Sequence, residues 1–276
     1  MRSVRPADAG IRFYRKAVNG STTMEDWLYE QMNQVEADHW WFVSRRAIIA
    51  SVLQRLLGRL NQPARILEAG CGTGGNLRLL ARFADQVIGL EPNPEAARYA
   101  REKTGFQILA LPLETAAASV ADSSFDLVAL LDVLEHLEDD RQALSILSAK
   151  LKPGGRILVT VPAFPCLWSR HDVSHQHRRR YRKDDLTGKL RSAGLVPVYS
   201  TYFNFWLFPW IALLRGINRL TGAQSDDAAL PSPRINRWLT RIMSSERLLL
   251  KRFSLPFGVS ILMMAEKPAG PGSTGP

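Results

Sequence analysis

Residues 65–75 read RILEAGCGTGG, a short apolar run that leads directly into a cluster of glycines. The first five residues are typical of a buried strand, and the glycines predict a sharp turn where the backbone approaches a ligand too closely for a Cβ atom. Gly70, Gly72 and Gly75 match the G-x-G-x-x-G pattern of dinucleotide-binding loops. With Gly74 as the third glycine, the loop matches the tighter G-x-G-x-G pattern of nucleoside binders. The stretch therefore predicts a nucleoside site at a strand end and leaves the nucleoside open.

Two acidic residues narrow the choice of nucleoside. Glu91 follows the next predicted strand, residues 86–90, and a carboxylate there can accept hydrogen bonds from both ribose hydroxyls. Glu68 places a second carboxylate at the end of the first strand, where it would repel a pyrophosphate and tolerate the ammonium and sulfonium of S-adenosylmethionine. The two acids favour S-adenosylmethionine over NAD, and an NAD-dependent oxidoreductase is the enzymatic alternative.

The chain around the glycines alternates short apolar runs with helical stretches as far as residue 161. This alternation is typical of βαβ units and predicts an α/β fold with a parallel sheet covered by helices on both faces. The predicted organisation has five parts: an N-terminal arm and helical cap (1–60), a nucleoside-binding core (61–202), an apolar and basic helical insertion (203–257), a last core strand (258–267) and a disordered tail (268–276).

Composition limits the class of protein. The chain of 276 residues has only two cysteines, which excludes a disulfide framework, and it has no apolar run long enough to span a bilayer. We expect a cytoplasmic protein that is at most peripherally associated with membranes. Residues 150–276 contain 20 Lys and Arg against 7 Asp and Glu, whereas residues 1–149 contain 16 against 19. The basic half favours an anionic partner, namely a phosphate-bearing lipid, a membrane surface or a nucleic acid, and a solvated arginine-rich surface is the alternative.

The segment from about residue 63 to residue 200 resembles the class I S-adenosylmethionine-dependent methyltransferases. The motifs that carry the resemblance are ILEAGCGTG (66–74), Glu91, LP (111–112), SFDLV (124–128), LDVLEH (131–136) and LKPGG (151–155). The resemblance implies a Rossmann-like, doubly wound, mostly parallel seven-stranded sheet with an antiparallel final pair. It also implies transfer of a methyl group from S-adenosylmethionine to an acceptor.

The resemblance further implies a cofactor site, whose predicted residues are Glu68, Gly70, Cys71, Gly72, Gly74, Glu91, Pro92 and Asp132. Many members of the family have an acid just before the Leu-Pro motif to hold the adenine amine. This chain has Ala110 there, so Glu114 is the remaining candidate for that role. The HWWF…RR block of residues 39–46 belongs to the helical cap, where Arg45 or Arg46 can pair with the cofactor carboxylate or can be an ordinary surface arginine.

Asp132, Glu135 and His136 are spaced i, i+3 and i+4, so one helical turn would place all three on one face. The arrangement resembles the metal site of O-methyltransferases of the ubiquinone pathway and of small-RNA 2′-O-methyltransferases. The resemblance implies a divalent cation, Mg²⁺ for oxygen ligands or a transition metal if several histidines take part. The alternative is a metal-free site in which Glu135, His136 or the loop residue His177 accepts a proton.

A basic run, HQHRRRYRK, covers residues 175–183 in the loop after the fifth predicted strand. Its His-x-Arg-Arg-Tyr part, residues 177–181, is similar to a segment of related methyltransferases and predicts contact with an anionic substrate. The alternative is a structural clamp of these arginines onto Asp172, Asp184 or Asp185. Residues 203–214, FNFWLFPWIALL, indicate an interfacial helix, a lid over the substrate or a dimer interface.

These observations predict a methyltransferase that acts on an oxygen, or less favourably a nitrogen, of a small or lipid-linked anionic acceptor. An RNA-directed methyltransferase and an S-adenosylmethionine-binding protein without turnover are the alternatives. The sequence leaves the oligomeric state open.

Overall fold

The computed structural model describes residues 24–57, 64–221 and 231–269. Residues 1–23 of the predicted arm and cap, and most of the predicted tail, lie outside these ranges.

Seven strands form one sheet in the order β3-β2-β1-β4-β5-β7-β6. The strands are β1 (Arg65–Ala69), β2 (Gln86–Leu90), β3 (Gln107–Leu109), β4 (Phe125–Leu131), β5 (Leu151–Pro162), β6 (Val196–Phe203) and β7 (Ser260–Glu266). The first five pair in parallel, and β7 runs antiparallel to both β5 and β6. The predicted fold class is confirmed. Because the winding reverses between β1 and β4, a ligand crevice is expected at the carboxyl ends of these two strands.

Helices cover both faces of the sheet. They are α1 (Met24–Val35), α2 (Trp40–Leu56), α3 (Leu77–Leu80), α4 (Pro94–Thr104), α5 (Leu113–Ala118), α6 (Asp140–Lys150), α7 (Arg170–Ser174), α8 (Lys183–Ser192), α9 (Phe208–Thr221) and α10 (Pro233–Leu250). Local chemistry sets their ends. At α4, the Asn93 side chain accepts hydrogen bonds from the amides of Glu95 and Ala96, and Gly105 ends the helix with a φ of 76°.

The sheet is buried on both faces, which is the reason its strands are almost continuously apolar. One core contains Ile66 of β1 together with residues of α2 and α10. The opposite core contains Leu67 of β1 together with residues of α6 and α8. Consecutive residues of β1 therefore enter different cores, and this alternation fixes the register of the central strand.

The cap helix α2 packs against α10 of the insertion, although the two helices are far apart in the sequence. The Trp40 amide donates to Asn236 Oδ1 at 2.9 Å, Ser244 Oγ donates to Ser44 Oγ at 3.0 Å, and Arg55 donates to the carbonyl of Leu250 at 2.8 Å. The cap and the insertion thus form one helical layer beside the sheet. No helix in the described ranges is both long enough and apolar enough to cross a bilayer.

Candidate functional site

The glycine loop joins β1 to α3 and is tied to the end of β2. The amides of Gly70 and Cys71 both donate to the carbonyl of Leu90, at 2.8 and 2.9 Å. The amide of Gly72 donates to Oε2 of Glu91 at 2.8 Å, and the amide of Asn93 donates to Oε1 at 3.0 Å. The Glu91 carboxylate is therefore buried and held at the point where a fold of this class binds ribose.

Two glycines of this loop are required by its geometry. Gly70 has a φ of 72°, and a Cβ atom there would lie 2.6 Å from Val133. Gly72 has a φ of 53°, and a Cβ atom there would lie 2.7 Å from the Met32 side chain of α1. Both positions have a left-handed backbone that strains any residue with a Cβ atom, and at Gly70 the branched side chain of Val133 also blocks that atom, whereas the flexible end of Met32 can move away from Gly72.

Helix α1 and Glu36, the residue that follows it, lie over the loop and contact this region through polar groups. Thr73 Oγ1 donates to Oε1 of Glu36 at 2.8 Å, and Lys103 forms an ion pair with the same carboxylate. The Tyr29 hydroxyl lies 3.4 Å from Oε1 of Glu91. The cap therefore closes over the predicted cofactor site.

Glu68 is fully buried at the end of β1. Its Oε1 accepts a hydrogen bond from Asn76 Nδ2 at 3.0 Å, whereas Oε2 has no hydrogen-bond partner within the described part of the chain. Burial raises the pKa of Glu68 to about 8, against the opposing effect of the Asn76 hydrogen bond. The group is thus neutral at pH 7 in the protein alone, and a cation bound beside it would favour its ionised form.

Asp132 directly follows β4 and is the centre of a second group of polar contacts. Oδ1 of Asp132 accepts from Thr160 Oγ1 at 2.9 Å, and Oδ2 is paired with the buried guanidinium of Arg45. Arg45 also lies 3.5 Å from Oδ1 of Asn76, so a continuous polar chain runs from Asp132 through Arg45 and Asn76 to Glu68. Nε of Arg45 has no partner among the residues described.

Of the two cap arginines that the sequence offers for the cofactor carboxylate, the structure brings one to the site. Arg45 reaches the site, whereas Arg46 donates to the carbonyls of Glu36 and Ala37 at 2.8 and 3.4 Å. Of the other predicted cofactor residues, Cys71 is buried, and Pro92 is exposed beside Glu91. Glu114 is exposed as well.

The predicted helical face of Asp132, Glu135 and His136 does not form. Residues 132–137 form a turn, and Asp132 has a left-handed φ of 59° that no α-helix contains. Asp132 is therefore directed to Arg45 and Thr160. The group that can hold a metal is instead Glu135, His136 and His177, whose ligand atoms lie within 4.8 Å of one another.

Glu135 and His136 have properties suited to such a site. Glu135 is fully buried, and neither carboxylate oxygen has a hydrogen-bond partner within the described ranges. Burial, with repulsion from Asp132, raises the pKa of Glu135 well above its ordinary value. Burial, with the charge of His177, lowers the pKa of His136 to about 4. His136 is thus unprotonated at neutral pH and can accept a proton or bind a metal.

His177 is oriented by a buried carboxylate. Its Nδ1 lies 2.9 Å from Oδ1 of Asp172, and its ring lies 4.9 Å from the ring of His136. Burial acts to raise the pKa of Asp172, yet the hydrogen bond to His177 and the charge of Arg180 hold it well below its ordinary value. Asp172 therefore stays charged and fixes the position of the His177 ring.

The basic run divides between structural and exposed arginines. Arg180 is buried and donates to Asp172 at 2.8 Å, which supports the clamp alternative for this residue. Arg179 pairs with Asp140 at 3.0 Å, an acid that the sequence did not single out. Arg178 is about half exposed and lies 3.9 Å from Glu138, and Arg182 is exposed, so these two arginines of the run are accessible to a substrate.

Several residues of the site carry no signal in the sequence. Asn76 and Thr160 complete the polar chain, and Tyr29 and Glu36 bring the cap onto the loop. Each is an ordinary polar residue of a helix, a strand or a turn, and only the packing of the cap against the sheet gives it a role. The sequence indicates Asp172 only as an acid that binds arginines of the basic run. In the structure it is also the partner of His177.

Comparison with known proteins agrees with this geometry. The family model described as a methyltransferase domain matches residues 37–200, which include the glycine loop, Glu91, Asp132 and the histidine loop, the segment after β5 that carries His171, His175 and His177. The chain belongs to the methyltransferase-domain family. This assignment, with the strand order, places it among the class I S-adenosylmethionine-dependent methyltransferases and leaves the oxidoreductase alternative without support.

Curated methyltransferases are similar to part of the chain. A probable S-adenosylmethionine-dependent methyltransferase of Mycolicibacterium smegmatis is 33% identical over 165 residues, which cover 57% of this chain and 60% of the relative. A ubiquinone biosynthesis O-methyltransferase of Dinoroseobacter shibae is 33% identical over 150 residues, which cover 49% of this chain and 60% of the relative. The chain thus spans about 60% of the length of these relatives.

Solved methyltransferases share the fold. An S-adenosylmethionine-dependent methyltransferase from Archaeoglobus fulgidus superposes with a TM-score of 0.53 at 21% identity, over 80% of this chain and 94% of the other. A phosphoethanolamine N-methyltransferase from Haemonchus contortus, in complex with S-adenosylmethionine, superposes with a TM-score of 0.57 at 18% identity, over 90% and 61%.

Glu68→Gln tests the buried carboxylate. Because the pKa of Glu68 rises from 4.5 to about 8 on folding, the folded protein holds this proton more tightly, and the resulting stability is lost as pH rises between these values. In this window the unfolding free energy of the wild type should fall by up to about 1.4 kcal/mol per pH unit because of Glu68. Glu68→Gln should remove this contribution to the fall. Urea unfolding at several pH values, without cofactor, measures it. Glu114→Gln, at an exposed glutamate, is the control, and an unchanged slope in Glu68→Gln contradicts the assignment.

Proposed function

We propose that this chain transfers a methyl group from S-adenosylmethionine to a hydroxyl oxygen of a small or lipid-linked acceptor. The observation that carries the proposal is a pair of buried groups at one edge of the sheet. Glu68 has an unpartnered carboxylate oxygen, and Arg45 has an unpartnered Nε, with Asn76 between them. The carboxyl group suits the ammonium of an amino acid, and the guanidinium suits its carboxylate. The methionine half of the cofactor supplies both groups.

The residues present fit this cofactor. Glu91 would hold the ribose, Gly70 and Gly72 would allow the backbone to approach, and Asp132 with Arg45 would bind the methionine end. When bound, S-adenosylmethionine supplies an electrophilic methyl group on a sulfonium. The protein then has to align an acceptor oxygen with that methyl group and remove its proton.

His136 is the group suited to accept that proton. It is unprotonated at neutral pH and lies against His177, which Asp172 orients. A neutral imidazole at the site edge can take a hydroxyl proton as the oxygen attacks. The similarity to ubiquinone biosynthesis O-methyltransferases supports oxygen over nitrogen as the acceptor atom. Arg178, half exposed beside His177, supports an acceptor that carries negative charge.

As the alternative to this proton-acceptor role, we propose that Glu135, His136 and His177 hold a divalent cation, in which case His136 is a ligand and not the proton acceptor. The two orphaned oxygens of the buried Glu135 are the observation that fits a metal, since a buried carboxylate without a partner is costly. One carboxylate and two imidazoles suit Mn²⁺ or Zn²⁺ better than Mg²⁺, which prefers oxygen ligands. When bound, such an ion lowers the pKa of a hydroxyl that coordinates it.

Titration calorimetry with S-adenosylmethionine tests the main proposal. We expect the wild type to bind the cofactor, and Glu91→Ala to lose affinity about tenfold or more because the ribose loses a charged acceptor. Glu95→Ala, at an exposed acid on the following helix, should bind like the wild type. A parallel titration with NADH should give no binding. A wild type that does not bind S-adenosylmethionine, or a Glu91→Ala variant that binds normally, would overturn the proposal.

Titration with Mn²⁺ tests the metal site separately. We expect Glu135→Gln and His177→Gln each to weaken Mn²⁺ binding about tenfold or more, since even the outer-shell partners of a metal are worth that much. Glu138→Gln, at a fully solvated acid in the same segment, should leave binding unchanged. Asp132→Asn should also bind the ion, because Asp132 lies outside the converging group. Equal affinity in the wild type and in Glu135→Gln would rule the site out.

A further inference from the structure

The exposed apolar side chains of the described residues are concentrated in one part of the chain. Ten of the thirteen large hydrophobic residues that are exposed lie between residues 206 and 257, which contain α9 and α10. The other three are Val173, Val196 and Val198. Isolated exposed apolar residues are normal on a protein surface, but such a concentration marks an interaction surface.

The apolar residues of α9 form a single stripe. Trp210, Leu213, Leu214 and Ile217 have the spacing i, i+3, i+4 and i+7, which places them on one helix face, and they are 67%, 55%, 58% and 45% exposed. An amphipathic helix normally turns such a face to the protein core. In α9 the stripe faces away from it, and the helix is joined to the fold by its first turn and by Arg215, which donates to the carbonyl of Leu167 at 2.8 Å.

The segment of the chain that contains this stripe is strongly basic. Residues 203–257 contain eight Lys and Arg against three Asp and Glu. In the described part of this segment Glu246 is the only acid, and it is buried. Its Oε1 accepts hydrogen bonds from the amides of Phe205 and Trp206. On α10 the exposed Trp238 lies among the exposed Arg237 and Arg241. Exposed tryptophans and leucines in a basic segment match the composition of interfacial helices that bind anionic lipid.

We propose that α9 docks onto the surface of an anionic bilayer through the stripe Trp210, Leu213, Leu214 and Ile217. The apolar side chains enter the headgroup boundary, and the arginines of the insertion attract the anionic headgroups. At 14 residues α9 is too short to cross a bilayer, so it lies in the plane of the interface. A second copy of the chain is a poorer occupant, because two copies would bring cationic segments together.

Docking through α9 would place the candidate active site at the membrane. Phe208 of α9 contacts Phe164, which lies near the start of the loop that carries His171 and His177. Arg215 binds Leu167 in the same loop. The active-site edge of the sheet would then face the headgroup region. The consequence that the acceptor is a lipid-linked molecule, and not a freely dissolved one, rests on the proposed methyltransferase function.

Vesicle co-sedimentation tests the docking surface with the full chain and without cofactor. One set of vesicles contains phosphatidylcholine alone, and the other contains phosphatidylcholine and phosphatidylglycerol in equal parts. We expect the wild type to bind the second set, to bind the first weakly, and to lose affinity as salt is added. Trp210→Ser combined with Leu214→Ser should bind the anionic vesicles about tenfold or more weakly, because two large apolar side chains no longer enter the interface.

A matched control separates the stripe from general surface hydrophobicity. Val196→Ser combined with Val198→Ser removes two apolar residues that are 52% and 50% exposed on β6, and it should bind like the wild type. Thermal unfolding confirms that both double variants fold. Arg237→Gln combined with Arg241→Gln should weaken binding and reduce its salt dependence.

Three results would overturn the proposal: no binding of the wild type to anionic vesicles, equal binding by Trp210→Ser/Leu214→Ser, or a wild-type dimer in gel filtration that this variant converts to a monomer. The last result would assign the stripe to a second copy of the chain. Because no step of this experiment requires S-adenosylmethionine or turnover, its failure is distinct from failure of the proposed enzymatic function.

Discussion

The ion pair between Arg45 and Asp132 is the contact on which the candidate site depends. It joins the cap helix α2 to the end of β4, and both groups are largely buried. A buried ion pair is stable only when further hydrogen bonds compensate its desolvation, and here Thr160 and Asn76 provide them. Removing one partner of such a pair typically costs about 3–5 kcal/mol, because a charge is left buried and unpaired.

This contact connects three parts of the chain into one site. Through Asn76 it reaches Glu68 on β1, and through α2 it depends on α10, with which α2 forms a single layer. The cap, the sheet edge and the insertion thus position each other. The same arrangement sets α9 beside the histidine loop, so the region that would bind the cofactor and the region that would bind a membrane meet at one edge.

Local patterning was sufficient to predict the parallel strands, the glycine loop and the carboxylate of Glu91, whereas the antiparallel final pair was predicted only from the resemblance to class I methyltransferases. Burial on both faces makes the strands almost continuously apolar, and glycine is the residue that adopts the positive φ of positions 70 and 72 with least strain. The prediction from helical spacing that Asp132, Glu135 and His136 share one helix face was wrong. A turn forms there, because Asp132 has the left-handed backbone and is directed toward Arg45.

Contacts between distant segments could not be predicted from the sequence. Arg45 and Arg46 are adjacent and chemically alike, and only the packing of α2 shows that Arg45 reaches the site. The exposure of the α9 stripe is likewise a property of the fold, since the same spacing is typical of a buried helix face.

A crystal structure of the full chain with S-adenosylmethionine is the most direct test of the central claim, which is that the cap and the sheet edge together form the cofactor site. The account predicts that the ribose hydroxyls contact Glu91, that the methionine end lies between Glu68 and Arg45, and that α1 covers the cofactor. A cofactor bound away from Glu68 and Arg45, or a complex in which Arg45 has left the site, would contradict it.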